Sequence, residues 1–500
     1  MPITFTVLAD SVDEVDTSDQ LMMFEGFQKA FVVNGTNLKV VELVNYKLTH
    51  AELTTAHANG DILTQATSAA TMIVDYTDAT KTHTYGYVTS GTFTATYQVT
   101  GSGSGTAFTP SAVTAPKHWH EWTVYPGGTF GSMPDKAYLG CLYRGRCVLS
   151  GDPNHPFQWY MSRVANPWDW LYAATDAFSP YAGGNSEAGE LGDIIKALIP
   201  YKDEYLIFGC ANSMWVLRGD PASGGNLEAL DATVGIFGCK SWCFDNQGNL
   251  YFLSQNGLNV IPSNLGGVQS VSQEVLPNFA ADEELDPTIH RVRLEYDPTR
   301  YGILICITAV LDGSNSNYFY DLRTKGIYPE SYPSTCGVYS SFYYNATDDS
   351  ERGILLGCTD GFLRRFSETT ENDVSTASNV AISSHVTLPI LQNDDDDREL
   401  LMKSLTITTA GGASGGTESD TDSVVVNLYA DRSAEEVLEA IEDGDTPHTT
   451  VTISGPGRQN RIRNRVRGHS IAVELKNTAA SSTWAVERVA AEIDATGKVK

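Results

Sequence analysis

Tyr205-Leu206-Ile207-Phe208 runs through Gly209 to Ser213 into Met214-Trp215-Val216-Leu217. Two short apolar runs flank a segment holding Gly and Asn. Those two residues tolerate the positive φ that tight turns need, so the pattern predicts a β-hairpin.

The pattern recurs. Phe27 to Val33 and Leu38 to Val41 flank Asn34-Gly35-Thr36-Asn37, and Ala137 to Leu142 and Arg146 to Leu149 flank Tyr143-Arg144-Gly145. Leu250 to Leu253 precedes Leu258 to Ile261, and a longer copy runs from Ile303 through Asp312-Gly313 to Tyr320. The last copy is Ile354 to Gly357 with Phe362 to Phe366. Tyr205, Leu250, Ile303 and Ile354 lie 45, 53 and 51 positions apart. Four-stranded propeller blades repeat at about that length, and such small sheets must stack to bury both faces. Asp245-Asn246-Gln247-Gly248-Asn249 followed by Leu250-Tyr251-Phe252 reads as the turn into a blade strand.

The first interval is too long for one blade. The excess, Leu53 to Ala115, is rich in Thr, Ser and Gly, and Gly60 to Leu63 and Gly91 to Thr94 read as two related strands. After Phe366 the pattern changes. Ser367 to Ala377 is a polar connection, and strand-like runs follow at Ala381–Leu391, Lys403–Thr409, Ser423–Tyr429, Thr449–Ser454, Ser470–Lys476 and Trp484–Ile493. Ala434 to Glu442 reads as a helix capped by Ser433. The expectation is all-β: a β-propeller of about six blades over 1–52 and 116–370, a small β-insert over 53–115 in the first blade, and a C-terminal β-sandwich-like domain over 371–500.

Lys and Arg number 33 against 61 Asp and Glu, a formal charge of −28. A general grip on nucleic acid is disfavoured, because phosphate binding needs a positive surface. The charge fits solubility, or a channel wall that DNA slides past. Met1 to Asp10 lacks the basic and apolar regions of a signal peptide, and no apolar run is long enough to span a membrane. The eight cysteines sit mostly in apolar runs and read as free buried thiols. Cys239 and Cys243 lack a second ligand pair at zinc spacing.

Chemistry-bearing motifs are scarce. No nucleophile elbow, P-loop, HExxH or GxGxxG occurs, nor the repeated Asp-box turn of propeller sialidases. The expectation is no catalysis, no cofactor and no metal. His118 and His120 would share one strand face, without a third ligand nearby. Asp394 to Asp397 lacks the alternation and Gly bend of a calcium loop and reads as a solvated turn. Trp119, Trp122, Trp159, Trp168 and Trp170 serve either core packing or a glycan platform. Arg458, Arg461, Arg463, Arg465 and Arg467 stand out. From Arg461 to Arg467 a strand would put arginines on one face and Ile462 and Val466 on the other. That face is either a solvated surface or a subunit interface matched to an acidic neighbour.

Gly151 to Ser162 (GDPNHPFQWYMS), Asn166 to Trp170 (NPWDW), Ile195 to Phe208, Met214 to Pro221 (MWVLRGDP), Asp245 to Ser254, and the end of the chain from Arg465 to Val489 form an ordered series. The series resembles the tail nozzle, or packaged-DNA stabilisation, proteins of short-tailed bacteriophages, over roughly 20–50 and 130–495. Residues 53–115 depart from it. The resemblance implies a structural virion protein in a homo-oligomeric, six-fold ring below the portal and adaptor. It would extend the channel, retain packaged DNA without sequence-specific binding, and dock a needle or plug and tailspikes or fibres. No membrane insertion is implied. The alternative is a receptor- or glycan-binding, even glycan-hydrolysing, tail propeller. A propeller scaffold of cellular origin is the third reading, and the resemblance argues against it.

Overall fold

The computed structural model describes residues 15–16, 20–183, 191–367, 371–375, 378–393, 398–411, 421–463 and 465–498. The fold is all-β and propeller-like, made of repeated small antiparallel sheets. The chain divides into two compact units, Met1–Thr288 and Ile289–Lys500. The division falls inside the stretch read as one propeller.

The first unit holds four four-stranded blades. Blade 1 is Met22–Gly26, Lys29–Asn34, Asn37–Glu42 and His118–Glu121. Blade 2 is Leu139–Tyr143, Arg146–Asp152, His155–Met161 and Tyr181–Ala182. Blade 3 is Ile195–Tyr201, Tyr205–Cys210, Met214–Arg218 and Asn226–Asp231. Blade 4 is Trp242–Phe244, Leu250–Ser254, Gly257–Ile261 and Gln269–Ser270. In the second unit, blade 5 is His290–Asp297, Gly302–Ala309, Asn315–Asp321 and Ile327–Glu330. Blade 6 has three strands, Val338–Tyr344, Gly353–Cys358 and Leu363–Arg365.

The second strands explain the apolar runs. A strand covered on both faces has no polar side to alternate with. In blade 3, Leu206 and Phe208 join a cluster with Leu139 and Leu149 of blade 2, while Ile207 joins Phe252 and Ile261 of blade 4. In blade 5 every residue of Gly302–Ala309 is buried. Five of the six repeated hairpins are the second and third strands of their blades. The copy at Ala137–Leu149 is out of phase: it is the first and second strands of blade 2, and the Gly151-to-Ser162 segment runs from the end of the second strand through the third. Asp245 shapes the turn between the first and second strands of blade 4, accepting from the amides of Gln247 and Asn249 at 2.8 Å each.

The insert lies between the third and fourth strands of blade 1. Its six-stranded sheet runs in the order Thr100–Gly101, Ile62–Gln65, Ala70–Thr77, His83–Ser90, Tyr46–Thr49, Ala112–Thr114. It therefore begins at Tyr46, before the expected Leu53. Leu48, Leu63, Met72, Val74, Phe93 and Phe108 form its core. Gly91 to Thr94 is not a strand. The Gln65 side chain takes a partner's place there, accepting from the Thr94 amide at 2.9 Å and donating to the carbonyls of Thr94 and Tyr97.

Beyond blade 6, two sheets contribute to one hydrophobic cluster. One contains Ser384–Thr387, Ser470–Asn477, Ser423–Asp431 and Thr449–Ser454. The other contains Gly457–Ile462, Arg398–Thr409, Val466–Gly468 and Val486–Lys498. Met402, Ile407, Val426, Leu428, Val466 and Val473 are among the shared core residues. The single strand expected over Ala381–Leu391 is three pieces, Asn379–Ala381, Ser384–Thr387 and Leu391–Gln392. Pro389, which has no N–H for a ladder, lies between the last two. Ala434–Glu442 is helical, with Ser433 and Glu436 forming a reciprocal capping box. Asp394 to Asp397 lies outside the described residues.

Candidate functional site

Ile195–Phe208, Met214–Pro221 and Asp245–Ser254 line the seams between blades 2, 3 and 4. Arg146 starts the second strand of blade 2 and is fully buried. Its Nε and Nη2 reach the two carboxylate oxygens of Asp220, both at 3.1 Å. Its Nη1 donates to the carbonyls of Ser162 and Ser179 at 2.9 and 2.6 Å. A planar guanidinium can serve a carboxylate and several carbonyls at once, which an ammonium cannot. Asp220 also accepts from the Ala222 amide at 2.9 Å, so the Arg218-Gly219-Asp220-Pro221 corner is held against blade 2.

Two tyrosines repeat one device. Tyr143 ends the first strand of blade 2, and its hydroxyl donates to the carbonyls of Glu204 and Gly219. Tyr201 ends the first strand of blade 3, and its hydroxyl donates to the carbonyls of Gly248 and Ser263. Asn166-Pro167-Trp168-Asp169-Trp170 packs inward as well. The Pro167 carbonyl accepts from the indoles of Trp122 at 3.0 Å and Trp170 at 2.9 Å. Trp119, Trp122, Trp159, Trp168 and Trp170 are all buried and form no exposed aromatic platform.

A second polar centre joins blade 1 to the insert. Lys29 lies 3.5 Å from Glu42 and 2.7 Å from Asp75. Asn45 donates to Asp75 at 2.8 Å. Burial alone would lower the Lys29 ammonium, but its two carboxylates outweigh this and raise it. Burial alone would raise Glu42, but the hydrogen bond from His120 and the charge of Lys29 pull it down. His118 and His120 do share one strand face, with ring centres 6.2 Å apart. His118 Nε2 donates to the Asn45 carbonyl at 2.9 Å, and His120 Nε2 lies 3.4 Å from Glu42. Tyr85 packs 4.2 Å from the His120 ring, and Tyr76 stacks on Trp168 at 4.0 Å. The pair is an anchoring contact. No metal-ligand group of three occurs among the described residues.

The arginine-rich segment is not one strand. Gly457–Ile462 and Val466–Gly468 are separate pieces, both paired with Arg398–Thr409. Ile462 and Val466 enter the core, and Arg463, Arg465 and Arg467 are exposed. Arg467 pairs with Glu399. The side chains of Arg458 and Arg461 lie outside the described residues. The eight cysteines are free thiols, seven of them buried.

Each unit also holds a cavity among the described residues. A cleft of about 470 Å³ in the first unit is lined by Gln255, Asn256, Ser270, Gln273 and Asn278 and carries no charged side chain. A groove of about 560 Å³ in the second unit is lined by Tyr332, Val338, Leu356, Phe362 and Phe366, with Arg364, Arg365 and Asp373 among its other lining residues. Sequence reasoning missed the Arg146–Asp220 pair, because the partners lie in different blades. The residue type was the available signal: a lone Arg opening an apolar strand needs a buried partner.

No family model and no curated protein matches the chain. Among solved structures, it is similar to the extracellular domain of BT4673 from B. thetaiotaomicron, at 11% identity and a TM-score of 0.30, over 78% of this chain and 44% of that one. The extracellular domain of BT3049 from B. thetaiotaomicron gives 11% and 0.33, over 78% and 45%. The chain thus spans a little under half the length of both. Oligogalacturonate lyase from Vibrio parahaemolyticus gives 9% and 0.25, over 71% and 86%. At these values the likeness carries neither substrate nor partner to this chain.

Proposed function

We propose that the chain is a structural subunit of a phage tail nozzle, assembled as one copy in a ring and without catalysis of its own. What supports this most is the use made of the resembling segments. Several supply acceptors that brace one blade against the next: Asp220 takes Arg146, the Glu204 and Gly219 carbonyls take Tyr143, and the Pro167 carbonyl takes Trp122. Residues spent on internal bracing suit a rigid block that presents loops to partners. In this reading the ring forms the channel below the portal and adaptor and docks a needle or plug and the tailspikes or fibres. The net charge of −28 lets DNA pass without adhering.

The test is cryo electron microscopy of particles labelled with an antibody against this chain. Label on a ring at the head-proximal tail axis is the expected result. Label on peripheral spikes would move the chain to receptor or glycan binding. Unlabelled particles would remove the virion reading.

A further inference from the structure

The two sheets beyond blade 6 turn opposite faces outward, and those faces differ in charge. In the sheet containing Arg398–Thr409, residues alternate between core and exterior. Val466 and Val489 pack in or against the shared core, so their strand neighbours Arg467 and Arg488 lie on the outward side, and Arg463 and Arg465, in the break between Gly457–Ile462 and Val466–Gly468, are exposed beside them. Carboxylates share this face. Glu399 pairs with Arg467, Asp494 with Lys403, and Glu492 accepts from Ser404 at 3.2 Å. Arg463, Arg465 and Arg488 are exposed and have no ion-pair partner among the described residues.

The other sheet is covered on its outer side by the helix Ala434–Glu442, whose Val437 packs on Tyr429 and Ala472. The helix has no basic residue. Glu435, Glu436, Glu439 and Glu442 are all exposed, and Asp443 and Asp445 follow, exposed too. Leu438 stands among them at 45% exposure, an apolar contact within a charged rim.

We infer that the arginine face of one copy docks on the acidic helix face of a second copy. Charge complementarity chooses this occupant. The helix offers a concentrated acidic surface, and guanidinium groups recognise carboxylates in pairs. The arginines therefore overcome locally the repulsion between chains of −28. Because the two faces are different and opposite, the contact is head-to-tail and propagates to a closed ring or an open filament. The inference deepens the assembly reading above and rests on it; the glutamates of the helix are its new element.

The test is sedimentation of the purified full chain. Wild type should self-associate, and raising salt from ~0.05 to ~0.5 M should weaken association about tenfold or more. One triple variant reverses the arginine face (Arg463→Glu, Arg465→Glu, Arg488→Glu). A second reverses the helix (Glu435→Lys, Glu439→Lys, Glu442→Lys). Each alone should remain monomeric, and an equimolar mixture should associate, because the mixture again pairs opposite charges. Arg465→Gln and Glu439→Gln, which disturb folding least, should each weaken wild-type association. A monomeric wild type, unaffected variants, or a mixture that stays apart would overturn the contact. A chain absent from particles that still assembles head-to-tail would sink the nozzle reading and leave this contact standing.

Discussion

Tyr143 and Tyr201 occupy the same place in successive blades, and each hydroxyl holds two backbone carbonyls of the blade that follows. The acceptors correspond as well. Glu204 and Gly248 lie in the turn into the second strand, and Gly219 and Ser263 lie just past the third. Removing one hydroxyl leaves two carbonyls without that donor. Tyr143→Phe and Tyr201→Phe should each lose about 1–3 kcal/mol with the strand content unchanged. Urea unfolding followed by circular dichroism measures this. The double variant should lose about the sum, since the two share no partner.

Asp220→Asn should cost more. It removes the charge opposite a guanidinium that is fully buried. Breaking such a pair typically costs about 3–5 kcal/mol. Chemical denaturation reads it, and a loss near that of an exposed pair would show that Arg146 is not desolvated.

Acid should loosen the insert before the rest of the first unit. Burial lowers His50 and His57 in the insert below their ordinary 6.5, and likewise His118, which holds the Asn45 carbonyl at the insert's start from the last strand of blade 1. The unfolded chain therefore takes up protons first as pH falls, so the stability is complete above 6.5 and declines below it. Hydrogen exchange at pH ~7 and ~5 should show faster opening of Ala70–Thr77 and His83–Ser90 at the lower pH. His57→Gln should flatten the dependence; an unchanged slope would count against its burial as a neutral ring.

Asp78 acts at the other end of the scale. Burial would raise it, but the His83 ring and the Thr80 hydroxyl donate to it, as does the His83 amide, and together they bring it to about 2. A lowered carboxylate stabilises above its unfolded value of 3.8, and that contribution disappears as pH falls through about 2. Proteolysis of the Asp78–His83 loop by an acid protease should rise over that window. In Asp78→Asn the loop should be cut equally at both ends of it.

The turn at Phe27 and Gln28 holds two non-glycine residues at φ 53° and 60°. Left-handed geometry costs a side-chain-bearing residue about 1–2 kcal/mol, and glycine gives part of this back through unfolded-state entropy. Gln28→Gly should raise stability by roughly 0.5–1 kcal/mol. A lower melting temperature would mean that the Gln28 side chain contributes more than the strain it causes.

The blades were legible because a strand covered on both faces leaves a continuous apolar run, as in Gly302–Ala309. Phase was less legible. Ala137–Leu149 looks like the other hairpins, since first and second strands of blade 2 are as apolar as second and third strands elsewhere. Side-chain replacements for strand pairing leave no periodic trace, so the loop held by Gln65 read as a strand. Long-range pairs such as Arg146 with Asp220 are invisible to local pattern. The exposed arginines were readable because Ile462 and Val466 alternate with them, although the strand that joins them breaks between.

The insert also sets an order of events. The fourth strand of blade 1 pairs His118 with Glu42, 76 positions earlier in the chain. Such a long closure is slow when the intervening chain is loose. Here Lys47 pairs with Thr114, so a folded insert brings its own ends together and shortens that closure to a few residues. During synthesis, blade 1 would thus remain an unfinished sheet until the insert has folded, and its last strand then arrives already in place.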